Sequence, residues 1–210
     1  TGTWGNQFLS TMTYNGSVLA TTTTQMWASG MWNNFRKNVY TYSGGRLIED
    51  MSQAPAGPSW ADAERTTYSY DGSGRMTLAL SERWGASGPW TNWYKSEYSY
   101  DGSTTNETLE VNSTWDGAEW DLTYTDTSRY AANLRSELVS VYYYTGFESV
   151  LRSLYYYDGN GNLIEDIEQG GAGGGVYFNN LRGVYVYTTA GIFDDDAADA
   201  MPSSFSLSQN

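Results

Sequence analysis

The chain has 210 residues, 11 basic against 24 acidic, with no Cys and no His. A formal charge of −13 argues against phosphate backbones and anionic headgroups as partners, and the missing Cys and His remove disulfides, thiolate metal sites and the commonest general base. No apolar run approaches the roughly 20 residues of a membrane-spanning helix, so membrane insertion is not expected either.

In chain order, the first turn signal is Tyr14-Asn-Gly. Tyr42-Ser-Gly, Tyr70-Asp-Gly, Tyr100-Asp-Gly and Tyr157-Asp-Gly follow, with Tyr130 and Tyr187 where the spacing demands them. The intervals between these anchors are 28, 28, 30, 30, 27 and 30 residues, and ten residues before each stands an aromatic: Trp4, Trp32, Trp60, Trp90, Trp120, Phe147 and Tyr177. Self-similarity at a fixed period marks a repeat architecture. Further columns are a basic residue five before the anchor (Lys37, Arg65, Lys95, Arg152, Arg182) and a Tyr two before it. In four repeats a second aromatic precedes the first, as Trp27, Trp84, Trp115 and Tyr142.

Each repeat is predicted to be two strands and two turns. Lys95-Ser-Glu-Tyr-Ser-Tyr100 alternates with period two, which puts Tyr98 and Tyr100 on one face. Asp71-Gly72, Asp101-Gly102 and Asp158-Gly159 are expected to form primed two-residue hairpin turns. The fold expected for residues 1–193 is all-β, seven tandem two-stranded repeats in an antiparallel meander, either an open or spiralling sheet or a flattened barrel. The open form is favoured, because a barrel of about fourteen strands would leave a lumen that side chains fill only near eight. Residues 194–210 are expected to be an acidic linker and a C-terminal segment.

Repeats of the form aromatic, basic, Tyr-x-Tyr-Asp-x-x-Gly-x-Leu resemble the tyrosine-aspartate repeats of Rhs-type proteins. They resemble still more the longer repeats of secreted Bacteroidota surface proteins, and Tyr155-Tyr-Tyr-Asp-Gly-Asn-Gly-Asn-Leu163 matches best. The repeat at Ser128-Arg-Tyr-Ala-Ala-Asn-Leu134 departs from the pattern in lacking Asp-Gly. The last ten residues, Met201 to Asn210, are similar to the lead-in of a type IX secretion sorting domain. These resemblances imply a secreted, extracellular or cell-surface protein whose sorting domain is absent from this chain.

Asp158, Asn160 and Asn162 place oxygens at positions one, three and five of a calcium loop, but position six lacks glycine and Gln169 replaces the bidentate Glu, so a plain turn is expected. Asp194, Asp195, Asp196 and Asp199 fit a solvated linker. The carboxylates that recur in the repeats fall at turn positions, which suits structure better than a catalytic pair; no enzyme activity and no cofactor is expected. The column aromatics are expected to pack across the sheet. Trp27, Trp84, Trp93 and Trp115, near turns or off the pattern, are the candidates for glycan contact.

Trp4 already occupies the first aromatic column, and the strand after Tyr187 shrinks to Gly191-Ile-Phe193. An array that starts and stops without caps is expected to join head to tail with copies of itself, the alternating Phe205-Ser-Leu207 supplying a strand to a neighbour. The expected function is therefore a non-enzymatic extracellular structural protein assembling into a filament or layer; a carbohydrate-binding or adhesive module, with polysaccharide as partner, is the alternative.

Overall fold

The computed structural model describes residues 7–85, 88–171 and 175–185. Trp4, Tyr187, Phe205, Leu207 and the segment 194–210 lie outside them. Thirteen strands are present among the described residues: β1 (Phe8–Asn15), β2 (Val18–Ala28), β3 (Met31–Ser43), β4 (Arg46–Ala56), β5 (Ser59–Tyr70), β6 (Met76–Trp84) and β7 (Trp90–Tyr100) come first. β8 (Glu107–Trp115), β9 (Trp120–Ala131), β10 (Leu134–Tyr144), β11 (Phe147–Tyr157), β12 (Leu163–Gly171) and β13 (Phe178–Val184) complete the set, and the described residues contain no helix. The strands form one sheet in sequence order from β1 to β13, an antiparallel meander that does not close into a barrel. By contacts the chain divides into two parts, Thr1–Tyr98 with Asn112–Asp121, and Ser99–Val111 with Leu122–Asn210. Each is treated by itself below.

Every second residue faces the same way, so the two faces follow from the ladder. In the first part Tyr40 lies opposite Asp50, Asp50 opposite Thr66, and Tyr68 opposite Ala79, which gives a tyrosine face. Arg65 opposite Met51 and Glu82, and Lys95 opposite Leu80, belong to the other, cationic face. Neither face has a layer of chain over it among the described residues. Val150 is the only buried hydrophobic side chain there, while Ser52, Ser96, Asn112, Ser113, Ser128 and Glu137 are buried polar ones. Cross-strand pairs must then supply the stability that a core supplies elsewhere, at roughly 0.2–1 kcal/mol each.

Two features were not predicted. The first is a register shift in ladders that join one repeat to the next, between Thr24 and Gln25, Ser52 and Gln53, and Ser81 and Glu82. One extra residue there flips the alternation and brings the column tryptophan to the cationic face. The β10–β11 ladder runs without a shift from Glu137↔Leu154 to Tyr144↔Phe147. Phe147 thus shares a face with Leu138 and Ser140, opposite to Glu137 and Val139, and the missing residue accounts for the single 27-residue interval. The ring that meets Phe147 across this turn is Tyr144, while Tyr142 stacks on Tyr124.

The second feature corrects the expected turns. Asp71 to Arg75 and Asp158 to Asn162 are five-residue loops, and it is Gly74 (φ 85°) and Gly161 (φ 84°), not Gly72 or Gly159, that adopt the left-handed conformation. The link between β7 and β8 is six residues, closed by Asp101 N–H to Asn106 O at 2.9 Å. An Asp side chain that gathers its own loop's N–H groups stabilises a longer loop than the dipeptide alone suggests. Paired positive φ angles occur at Gly44-Gly45, Ser29-Gly30 and Ala132-Asn133 instead.

Candidate functional site

The repeat-defining residues meet across repeats. The Arg65 guanidinium lies 4.7 Å from the Trp90 ring centre, Lys95 Nζ 5.2 Å from Trp120, and Arg152 5.1 Å from Tyr177. In each case the basic residue of one repeat stacks on the column aromatic of the next. The same cations carry ion pairs, Arg65 to Glu82 at 2.6 Å, Lys95 to Glu97 at 2.6 Å and Arg152 to Glu137 at 2.5 Å, and the basic residue of the last repeat, Arg182, pairs with Glu165 at 2.6 Å. Both columns were visible in the sequence; their partnership, across 25 residues of chain in each pair, was not.

The anchor tyrosines reach the other way. Tyr70 Oη donates to the Leu47 carbonyl at 2.7 Å, Tyr130 to Glu107 at 3.0 Å, and Tyr157 to Arg135 at 2.9 Å. Leu47 lies beyond the β4–β5 ladder, which ends at Glu49↔Thr67, and Arg135 beyond the β10–β11 ladder, which ends at Glu137↔Leu154. The hydroxyl thus satisfies a carbonyl that no backbone partner reaches. This explains why the anchor is Tyr rather than Phe.

At the opposite strand ends, tryptophans bracket the turns edge to face: Trp27 with Trp32 at 5.2 Å, Trp84 with Trp90 at 5.1 Å, and Trp115 with Trp120 at 5.2 Å. Trp60 instead opposes Pro55. Tyr144 and Phe147 stack at 4.8 Å, on the other face as described. Trp27 and Trp84 remain 48% and 47% exposed, whereas Trp115 is half-buried. Trp93 is exposed too, but the Arg83 guanidinium sits 3.2 Å from its ring centre and covers one side.

Asp158 Oδ1 accepts N–H groups from Asn160 and Asn162, at 2.8 and 2.9 Å, and its Oδ2 accepts the Asn162 amide. These donors, the Asn162 side chain foremost, hold the carboxyl below its usual range. Asp71 is lowered in the same way, first by the Arg75 backbone N–H. The loop therefore turns its donors, rather than a ring of oxygens, toward the carboxylate. Asp116, Glu119 and Asp121 lie together at the exposed β8–β9 turn, where Asp116 caps the Ala118 and Glu119 N–H groups. On the tyrosine face burial raises Asp50, against the Asn38 amide that lowers it, and burial likewise raises Glu107 and the Tyr68 phenol.

Glu137 is 7% exposed and takes ion pairs from Arg129 at 2.6 Å and Arg152 at 2.5 Å. These three side chains, with Thr127, Val139 and Tyr177, line an open groove of about 440 Å³ in the second part of the chain. Among the described residues β1 pairs with β2 alone, and all eight of its own residues are exposed. Nothing in the sequence columns marked Glu137 or β1, because both depend on which strands are neighbours.

No family model matches the chain, and no curated protein matches it. Among solved structures, a protein of unknown function from Bacteroides fragilis aligns at 17% identity and a TM-score of 0.51, over 59% of this chain and 94% of its own. A DUF3836 family protein from Bacteroides vulgatus is 15% identical with a TM-score of 0.35, over 42% of this chain and 90% of its own. TcdB2-TccC3 aligns at 14% identity and a TM-score of 0.41 over 85% of this chain, which spans about a tenth (11%) of that one. The first of these likenesses extends to the fold.

Proposed function

We propose that the chain is a non-enzymatic structural protein of the cell exterior that self-assembles into a filament or layer. The observation that carries this reading is the direction of the stabilising contacts. They run from each repeat to the next, as in Arg65 on Trp90 and Tyr70 on Leu47, and only Val150 is a buried hydrophobic among the described residues. A sheet coupled repeat to repeat is extended by whatever pairs with its edge, and a further copy of the same chain is the partner whose repeats match. The exterior location rests on the resemblance to secreted Bacteroidota repeats. Electron microscopy and sedimentation of the purified chain test the reading: concentration-dependent assemblies are expected, and a monomer at every concentration overturns it.

A second reading, a glycan-binding adhesive module, is favoured by Trp27 and Trp84, which leave about half their surface to solvent on the cationic face. It requires polysaccharide binding that falls at least tenfold in Trp84→Ala. Unchanged binding in both Trp27→Ala and Trp84→Ala removes it.

A further inference from the structure

We infer that the groove at Arg129, Arg152 and Tyr177 binds the carboxylate of a single uronic acid residue in an otherwise neutral glycan. The groove lies wholly in the second part of the chain, apart from Trp27 and Trp84, and it works without self-assembly, so it goes beyond both readings above. Its floor is one face of β9, β10 and β11, each of which has a paired strand on either side.

Part of the groove belongs to the repeat and part does not. Glu137 lies opposite Arg129, the residue before an anchor tyrosine, and the same place holds Glu49 opposite Thr41 and Glu165 opposite Tyr156. Arg152, from the basic column of the following repeat, pairs with Glu137 as Arg182 pairs with Glu165. The repeat thus supplies the buried Glu137 with a cation of its own. Before the other anchors stand Thr13, Thr41, Ser69, Ser99, Tyr156 and Val186, none of them basic. Arg129 is therefore an addition to the repeat, and the repeat does not need it to hold together.

The geometry gives this addition a use. The Arg129 side chain is 74% exposed, yet its Nη1 donates to Glu137 Oε2 at 2.6 Å, which leaves the Nε–Nη2 edge of the fork open among the described residues. Arg152 is fixed by Nε on Glu137 Oε1 at 2.5 Å, by Nη1 on Gln169 Oε1 at 3.1 Å and by the Tyr177 ring at 5.1 Å. Guanidiniums already held in place lose little freedom on binding, and a fork edge matches a carboxylate with two parallel hydrogen bonds. Two arginines against one glutamate leave one positive charge, the complement of a monoanion, and Glu165 on the same face is taken by Arg182. The net charge of −13 opposes a densely charged polymer far more than a glycan with one carboxylate. The ladders use the backbone groups of the floor, so it offers side-chain donors, the Thr127 hydroxyl and the guanidiniums, which suit sugar hydroxyls and a carboxylate better than a peptide main chain.

Titration calorimetry of the full chain tests the site, with oligosaccharides carrying one terminal glucuronate or galacturonate and with their methyl esters. At least one uronate is expected to bind, at least tenfold more tightly than its ester. Arg129→Ala is expected to weaken that binding at least tenfold with its β-sheet circular dichroism unchanged, because Arg152 still pairs with Glu137. Arg129→Lys keeps the charge without the fork and is expected to recover only part of the loss. Trp84→Ala is expected to bind the uronate as the wild type does. The inference is overturned if neither uronate binds, if the methyl ester or a peptide with a single glutamate binds as tightly, or if Arg129→Ala binds unchanged. Uronate binding lost in Trp84→Ala but kept in Arg129→Ala overturns it in favour of the tryptophan surface.

Discussion

The hairpin β1–β2 and the strands β10 to β12 are built on the same repeat but held in different ways. β1–β2 contains no charged residue and is joined by hydroxyl pairs, the exposed Thr13 with the half-buried Thr21 at 2.7 Å and the exposed Ser10 with the half-buried Thr24 at 3.3 Å. β10 to β12 hold Val150, the buried Glu137 with its two arginines, and Arg152 stacked on Tyr177 and bonded to Gln169 at 3.1 Å. The contrast shows that the repeat sets the fold while the cation, carboxylate and ring of adjacent repeats set how firmly a given stretch is held. Where that triad is absent, as in β1–β2, the ladder and these hydroxyl contacts hold the hairpin.

The largest effect that would break this contrast lies at Glu137. Glu137→Leu leaves Arg152 half-buried without its carboxylate and is expected to cost about 3 kcal/mol in denaturant unfolding, whereas Thr21→Ala in β2 is expected to cost about 0.5 kcal/mol. Equal costs would show that β10 to β12 are no more firmly held than β1–β2. Next comes Trp90→Ala, which removes both the edge-to-face contact with Trp84 and the seat of Arg65, for about 2 kcal/mol in thermal or chemical unfolding.

Tyr157→Phe removes only the hydroxyl to the Arg135 carbonyl and is expected to cost about 1 kcal/mol. Tyr144→Phe, whose ring stacks on Phe147, is expected to cost less, which would separate the anchor column from an ordinary exposed tyrosine. A neutral Tyr157→Phe would leave the anchor's identity unexplained.

The smallest effect is in pH dependence, and its sign differs between loop and sheet face. Asp71 and Asp158 are lowered on folding, so their contribution is present above the ordinary carboxylate value of about 4 and is lost as pH falls through the folded value. Asp50 and Glu107 are raised, so their ionisation opposes folding, and protonation as pH falls through their raised values relieves it. Asp158→Asn is expected to shallow the acid-side loss of stability, and Asp50→Asn to remove part of the gain just above it. Thermal unfolding followed from pH 7 to about pH 3 resolves the two.

The period, the anchor tyrosines and the antiparallel meander were legible because turn residues and rings are local signals that recur. The face of each ring was not. A single unpaired residue, present near Asn92 and missing near Ser149, reverses alternation, and nothing in the composition of either strand announces it. Likewise, Asp71-Gly72 carries the dipeptide of a tight turn, but the loop is five residues long because the Asp71 carboxylate has the Ser73 and Arg75 N–H groups to gather. The stacking of Arg65 on Trp90 joins positions from two different columns, and only the sheet order makes them neighbours. Trp27 and Trp84 stood out in the sequence by lying near turns, and their partners Trp32 and Trp90, which only the ladder reveals, show that each also closes its hairpin.

A double-mutant cycle on Arg65 and Trp90 tests most directly that the sheet is held from repeat to repeat. Unfolding free energies of the wild type, Arg65→Ala, Trp90→Ala and the double variant are expected to give a favourable coupling of about 0.5–1 kcal/mol, with a similar value at Arg152 and Tyr177. A coupling indistinguishable from zero at both pairs would contradict it.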